Sequence, residues 1–372
     1  MRNAERSATR RVRAALSTAV VVCAVTAVLP GAASAEPMTV PGVASDSGAG
    51  VERISVATDG TQGDGDSAGA TITTDGRRIA FSSSAKNLTS ANPVTWERVF
   101  VRDRWTSQTT LMSTTAPPIQ RPVISGDGQY VVLWGLLFRD TKVFLSQVSS
   151  GSTIGVNCPG LGCGQPSLSA DGRSIAQAAT FNRPPSRQRI EVRDWRTDTT
   201  ETVAEFGHTV SARPSISGDG RFVAYQDGRA EDVFVWDRTD GTSSGPVEGP
   251  SKAATLVQLS KDGSKVVYLS GSDTYIHDES SGSDQVVPNA RGVAIDPTGR
   301  HLLYAPHDAN GPSLVLRDLE TGTDAIVSNQ PASAGTDAVS AGGRDVVFHS
   351  TADDIVPGDT NGKSDVFVRR FH

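Results

Sequence analysis

Cysteine, methionine and aromatic side chains are scarce in this sequence of 372 residues. Cysteine and methionine occur three times each, and Phe, Trp and Tyr together make up 6% of the chain. After residue 35 only Cys158 and Cys163 remain, and the sequence around them lacks the further ligands that a four-ligand zinc site needs. We predict a disulfide between these two cysteines, with two free thiols as the alternative.

Beyond residue 35 the chain also lacks any apolar run long enough to span a bilayer, so we expect no transmembrane segment. The first 35 residues have the pattern of a secretory signal peptide: an arginine-rich start, an apolar run over 14–29 and the small residues of Ala33-Ser34-Ala35. The pair Arg10-Arg11 leaves both the general and the twin-arginine export routes open. We therefore expect a secreted or cell-envelope protein with a signal peptide at 1–35, a flexible lead-in at 36–50 and one domain at 51–372.

The predicted mature chain is strongly acidic. The whole sequence has a formal net charge of −6 at pH 7, and residues 1–35 hold five arginines and one glutamate, a net of +4, so the remainder carries −10. A surface of this sign repels phosphate groups, which argues against nucleic acid or an anionic membrane as a partner.

One short pattern recurs seven times along the chain. It reads SISGDGRFVAY at Ser215–Tyr225, and its second glycine recurs at spacings of 36 to 52 residues. A branched aliphatic residue stands three positions after each of these glycines. Successive apolar positions predict a strand with both faces buried, and the Asp-Gly pair predicts a two-residue hairpin before it. The seven glycines are Gly76, Gly128, Gly172, Gly220, Gly263, Gly299 and Gly343.

Each unit continues with a third strand, such as Val233–Asp237, and most with a weaker fourth, such as Thr199–Ala204. Four short strands at this period are typical of a propeller blade. The seventh unit ends after its third strand, whereas Val51–Ala57 is a strand with no upstream partner. We therefore predict an all-β, seven-bladed β-propeller of four-stranded antiparallel blades, closed by the N-terminal strand completing the last blade. We expect it to be a monomer.

The repeated unit resembles the WD40-like repeat of TolB-type β-propellers. The resemblance is carried by Ser215–Tyr225 with Asp232–Asp237, and Asp353–Arg370 looks like exported bacterial members of this group. The resemblance implies the architecture but not one function, because such propellers occur as binding scaffolds, as gates on serine peptidases and as lyases. TolB itself carries an additional N-terminal domain, for which the residues between Ala35 and Val51 leave no room.

Two hydrolase signatures are present only in part. GTSSG at Gly241–Gly245 matches the nucleophile elbow with Ser243 as nucleophile, but the residues around it predict a β-turn with no helix after it. Sialidase repeats place a residue between Asp and Gly, whereas the two are adjacent here. Neither class is predicted.

Two sets of residues are candidate metal ligands. His301, His307 and His349 belong to the sixth and seventh units and could meet in the channel, with scattered surface histidines as the alternative. Asp359, Asn361 and Asp365 have calcium-like spacing, with an Asx-type turn as the alternative.

The first strands of a propeller line its central channel. Arg121, Gln165 and Arg213 stand at the start of three of these strands, and the arginines suit the carboxylate of a peptide or an acidic glycan. We predict an exported, non-catalytic propeller that binds a protein, peptide or cell-envelope partner at one face, with no cofactor unless the turn binds calcium. The alternative is a channel-based polysaccharide lyase or hydrolase that uses a metal.

Overall fold

The structure is a computed structural model of the chain. It describes residues 50–90, 96–112, 121–137, 140–156, 158, 161–181, 187–206, 213–227, 231–308 and 310–371. The chain divides into two units, residues 1–42 and 43–372, and every described residue belongs to the second. The predicted signal peptide and most of the lead-in lie outside the described residues.

The described chain consists of strands and one short 3-10 turn at Ala341–Gly343. Strands β1 to β9 are Val51–Arg53, Ser67–Ile72, Arg78–Ser83, Arg98–Asp103, Gln108–Met112, Val123–Ile124, Tyr130–Leu137, Asp140–Gln147 and Thr153–Val156. Strands β10 to β18 are Gly162–Cys163, Ser167–Leu168, Ser174–Phe181, Arg187–Asp194, Thr199–Phe206, Ser215–Ile216, Phe222–Asp227, Asp232–Asp237 and Thr242–Val247. Strands β19 to β28 are Thr255–Leu259, Lys265–Ser270, Asp273–Asp278, Ser283–Val287, Ala290–Ile295, His301–Pro306, Leu314–Asp318, Asp324–Ser328, Asp345–Ser350 and Asp365–Arg370. No helix in the described part of the chain is long and apolar enough to cross a membrane.

Four sheets have the predicted arrangement of four consecutive antiparallel strands. They are β2–β5, β15–β18, β19–β22 and β23–β26. This succession of small sheets, each built from one sequence repeat, is the architecture of a β-propeller.

The second and third repeats differ from the prediction of separate blades. Strand β10, at Gly162–Cys163, pairs antiparallel with β12 and parallel with β8, so the two repeats form one nine-stranded sheet. In the structure Cys158 and Cys163 form a disulfide. The bond thus anchors β10, which contains Cys163, at its place between the two repeats.

The last sheet combines the two ends of the described chain. Strand β1 pairs antiparallel with β28, with Val51 opposite Arg369, and β28 pairs with β27. Val339 forms an isolated bridge with Val346 on the other side of β27. The backbone N–H of Ile54 extends the pairing by donating to the carbonyl oxygen of Val366 at 2.7 Å.

The turn between the first two strands of a repeat is longer than the predicted two-residue hairpin. In the fourth repeat Ile216 pairs with Val223, and the Ser217 hydroxyl donates to the Asp219 carboxylate at 2.5 Å. Only Gly220 has a positive φ, of 76°. The side-chain bond closes a wider loop, so the Asp does not need the left-handed conformation that the shorter turn requires of it.

The core lies between neighbouring sheets. The aromatic residue of the second strand stacks on one from the third strand, as in Phe81 on Phe100 and Phe348 on Phe367, with ring centroids 5.8 and 5.6 Å apart. These four rings belong to one buried cluster that joins residues of the first and last sheets. Burial of such large apolar surfaces is the main force that holds successive sheets together.

Candidate functional site

A cavity of about 610 Å³ lies where the first strands of the repeats begin. Six of the seven positions at the start of the repeats line it: Arg121, Gln165, Arg213, Leu256, Gly292 and Thr336. The structure therefore brings the three residues predicted for the channel mouth to one cavity. Its volume is within the range of pockets that hold small ligands, about 300–1,000 Å³.

Three arginines make this cavity basic on an acidic protein. Arg121, Arg213 and Arg291 line it, and Asp337 is the one carboxylate among the described lining residues. Within the described part of the chain, no hydrogen bond or ion pair holds the side chains of Arg213 and Arg291. An anion in this cavity would meet two guanidinium groups that have no competing carboxylate.

The side chain of Arg121 is held in place by Thr336 of the last repeat. Its Nη1 donates to the carbonyl oxygen of Thr336 at 2.7 Å, and its Nη2 donates to the Thr336 hydroxyl. Burial lowers the pKa of Arg121 to about 10, and the positive charge of Arg213 acts in the same direction, against the attraction of Asp337. The guanidinium is charged at neutral pH and more acidic than an ordinary arginine.

Asp337 is fixed at the base of the cavity by two side chains. The Lys261 ammonium lies 3.3 Å from its Oδ1, and Gln258 Nε2 donates to the same oxygen at 3.3 Å. Gln258 Oε1 in turn accepts from the backbone N–H of Asp337 at 3.2 Å. Asp337 has a φ of 58°, an uncommon conformation for a residue other than glycine that concentrates at functional sites.

Lys261 also reaches two other repeats. Its ammonium donates to the carbonyl oxygens of Leu168 at 3.0 Å and Ile216 at 3.5 Å. Lys261 and Asp337 also line a second cavity, which holds only about 10 Å³, on the order of one water molecule.

Arg291, Asp337, Lys261 and Gln258 are functional candidates that the sequence did not indicate. Asp337 directly follows Thr336, the start-of-repeat residue of the seventh repeat, so reading one position further along each first strand would have found it. The contacts of Lys261 join four repeats, the third, fourth, fifth and seventh, and no local pattern predicts them.

The three candidate histidines do not converge. His301 and His307 lie at opposite ends of β24, which at about 3.3 Å per residue separates them by roughly 20 Å. His349 is in β27, where its backbone pairs with Ser333 and burial lowers the pKa of its imidazole. None of the three lines the cavity.

The calcium-like turn is filled by side chains of the protein itself. Arg53 lies 3.3 Å from Asp359 and 3.6 Å from Asp365, and Gln62 Nε2 donates to both carboxylates at 2.9 and 2.8 Å. Asn361 Nδ2 donates to Asp365 at 3.1 Å and so presents its nitrogen rather than its oxygen. These residues form an ion-pair and hydrogen-bond network that joins β1 to β28 and to the turn before it.

Ser243 lies within β18, where its hydroxyl is 3.0 Å from the hydroxyl of Tyr225. A residue within a strand does not lie on the strained strand-to-helix turn that a nucleophile elbow requires. The Asp residues that end the third strands hold the turns that follow those strands. Asp237 accepts from the backbone N–H of Thr239 at 2.8 Å and from the Arg221 side chain at 2.6 Å.

No family model matches the chain, and no curated protein matches it. Among solved structures it is similar to an oligogalacturonate lyase in complex with manganese, with 13% identity and a TM-score of 0.62 over 87% of this chain and 93% of that one. It is also similar to oligogalacturonate lyase from Vibrio parahaemolyticus, with 13% identity and a TM-score of 0.64 over 86% and 93% of the two chains. TolB from Acinetobacter baumannii matches 70% of this chain and 62% of its own at 17% identity, with a TM-score of 0.48. The likeness shows the propeller fold.

These comparisons correct two predictions. The prediction of a non-catalytic binding protein is wrong, because two similar structures with TM-scores of 0.62 and 0.64 are of an enzyme, oligogalacturonate lyase. The prediction that no cofactor is needed is wrong as well, because one of them is a complex with manganese.

The described residues do not fit a manganese centre built from protein ligands. The described part of the chain contains no group of three or more His, Cys, Asp or Glu side chains that could hold a metal. The cavity has Asp337 as its one described carboxylate, and that group is paired with Lys261. The positive charge of the three arginines repels a cation, so the described lining of this cavity disfavours a metal ion.

Proposed function

We propose that this chain is an exported enzyme that cleaves uronate-containing oligosaccharides in the basic cavity. The observation that carries the proposal is the convergence of Arg121, Arg213 and Arg291 on one cavity with a single described carboxylate. A uronate carries a carboxylate on each sugar, and a guanidinium group binds a carboxylate through two parallel hydrogen bonds. The similarity to oligogalacturonate lyases, which are named for a uronate oligomer, supports the same chemistry.

The reaction that these groups suit is β-elimination. A base removes the proton on the carbon next to the carboxylate, the electron pair forms a carbon–carbon double bond, and the bond to the glycosidic oxygen breaks. The leaving oxygen takes a proton from water. Negative charge grows on the carboxylate as the proton leaves, and Arg213 and Arg291 stabilise that charge.

We assign the base to Asp337. It is the one carboxylate among the described residues of the cavity, and Lys261 and Gln258 hold its Oδ1. Its Oδ2 accepts one long hydrogen bond, from the Thr336 hydroxyl at 3.5 Å, and keeps a lone pair for a proton. A general base held in this way contributes about 10²–10⁴-fold in rate.

The test is a cleavage assay on oligogalacturonate that records the ultraviolet absorbance of the unsaturated product. We expect activity in the wild type, a loss of about 10²–10⁴-fold in kcat for Asp337→Asn, and a raised KM for Arg213→Ala with Arg291→Ala. Arg344→Ala is the matched control, because Arg344 is exposed and lies outside the cavity. Wild-type protein that leaves uronate oligosaccharides intact, or cleaves them equally well after Asp337→Asn, would contradict the proposal.

We also infer that the repeats close into a ring of seven, with β1 completing the last sheet. The pairing of β1 with β28 supports this, and so do bonds between the first and last repeats: Ile72 N–H donates to Asp337 O at 3.0 Å and Ala341 N–H to Thr74 O at 2.9 Å. In a closed ring the amide of Ile54 exchanges with deuterium as slowly as the central strands. Exchange at the rate of a free chain end would rule out closure.

Export is the third part of the proposal. The arginine-rich start, the apolar run and the small residues before residue 36 support removal of residues 1–35. Protein recovered from the envelope or the medium should begin at Glu36 when its N-terminus is sequenced. Protein found there that retains Met1 would be incompatible with this processing.

A further inference from the structure

The position of Arg121 in the cavity depends on the segment before the last sheet. Both of its hydrogen bonds go to Thr336, which precedes β27, whereas Arg121 itself precedes β6 of the second repeat. The second and last repeats are thus joined through one guanidinium group. The feature that sets this arrangement is the residue next to Thr336.

Gly335 faces the guanidinium group of Arg121 at very short range. A Cβ atom at Gly335 would lie 1.9 Å from Nη1 and 2.9 Å from Cζ of Arg121. Gly69 packs equally closely against the base of the same side chain, since a Cβ at Gly69 would lie 2.7 Å from the Cβ of Arg121. Arg121 therefore occupies a slot between two glycines from the last and first repeats.

The two glycines differ in what a substitution would do. Gly69 has a φ of 65°, so a side chain there also strains the backbone. Gly335 has no such conformation, and the atom that its Cβ would meet is at the far end of a flexible side chain. Alanine at 335 therefore leaves the backbone unstrained and displaces the Arg121 guanidinium from Thr336.

We propose that Gly335 is a positioning residue for the reaction, which sets where the Arg121 guanidinium stands in the cavity. Arg121 then offers its charge to the substrate carboxylate from a fixed place, so that it loses little conformational entropy on binding. The kinetic part of this inference rests on the proposed function, whereas the position of Arg121 does not.

The experiment has one readout that does not need a substrate. Nitrogen-15 NMR of the Arg121 side chain reports whether its Nη hydrogens are held by Thr336. We expect slow exchange of these hydrogens in the wild type, fast exchange in Gly335→Ala, and a wild-type signal in Gly155→Ala. Gly155 is the matched control, because a Cβ there meets nothing within 4 Å.

The second readout is kinetic, with oligogalacturonate as the probe. A displacement of about 1 Å in a positioned group costs up to about a hundredfold in rate, so we expect Gly335→Ala to lower kcat/KM by up to this factor. In the Arg121→Ala background, Gly335→Ala should have no further effect, because the group through which it acts is gone.

The outcomes separate the two claims. An unchanged Arg121 signal in Gly335→Ala, or an equal kinetic loss with and without Arg121, overturns the positioning role. Absence of oligogalacturonate cleavage in the wild type overturns the proposed function, and the NMR comparison then decides the position of Arg121 alone.

Discussion

The guanidinium group of Arg53 lies 3.3 Å from the carboxylate of Asp359, in the turn where the spacing of acidic residues suggested calcium. Both side chains are 3% exposed, and Asp365 beside them is fully buried. A positive charge supplied by the protein thus pairs with these carboxylates, and it comes from β1, the strand at the other end of the described chain. Burial raises the pKa of Asp365 against the opposing influence of Ser55 and Gln62, which donate to it, and of Arg53.

Replacing this arginine should destabilise the fold. Arg53→Met removes the charge and leaves Asp359 and Asp365 as unpaired buried carboxylates, which costs about 3–5 kcal/mol in the free energy of unfolding. Urea denaturation measures the loss, and Arg344→Met, at an exposed arginine, is the control. Equal stability of the two variants would show that the network contributes nothing.

Removing the disulfide should have a smaller effect. The bond closes a loop with a sequence separation of 5, for which chain entropy gives about 2 kcal/mol. We expect Cys158→Ser with Cys163→Ser to lose about this much in urea denaturation. Hydrogen exchange should rise at Gly162 and Cys163 of β10 in this variant. Unchanged protection of β10 would mean that its pairing with β8 and β12 suffices to hold it.

The acid side of the stability profile should depend on the arginine–aspartate pairs at the strand ends. The hydrogen bond from Arg221 lowers the pKa of Asp237 from 3.8 to about 2. A lowered folded-state pKa means that the ionised pair stabilises the fold above about pH 4 and that this contribution is lost as the pH falls towards 2. An NMR titration of the Asp237 carboxyl should show a higher midpoint in Arg221→Gln and an unchanged one in Arg344→Gln. Identical midpoints in all three proteins would refute the assignment.

Anion binding should weaken at alkaline pH. Burial lowers the pKa of Arg121 to about 10, so its charge declines as the pH rises from 8 to 10 while a uronate stays fully ionised. Galacturonic acid, which has no glycosidic bond to cleave, is the ligand for a calorimetric titration across this range. We expect the Kd to increase in the wild type and to change less in Arg121→Ala. Parallel pH profiles of the two proteins would assign the effect to other groups.

The sequence predicted those features that repeat, because each is a local pattern with its own physical cause. The apolar triplet ending at Tyr225 indicated a buried strand, and four of the repeats form the expected four-stranded sheets. The turn at Asp219-Gly220 was predicted in place but not in length, since the bond from Ser217 to Asp219 depends on a side-chain geometry that residue types alone do not specify.

What the sequence did not predict depends on contacts between distant repeats. Arg53 reaches Asp359 across almost the whole described chain, and the spacing of the acidic residues alone indicated a metal just as well. Asp337 and Lys261 meet only after the intervening repeats have folded. Strand β10 joins two repeats through a loop that belongs to neither pattern.

The side chain of Lys261 contacts the carbonyl oxygens of Leu168 and Ile216 and the carboxylate of Asp337, which lines the main cavity. In the ring proposed above, these contacts would keep a polymer from threading through the axis. A saccharide that reaches Asp337 would then enter end-first and leave through the same opening. Each departing fragment would therefore block the entry of the next substrate molecule. Turnover on long chains should consequently proceed by separate encounters rather than by sliding.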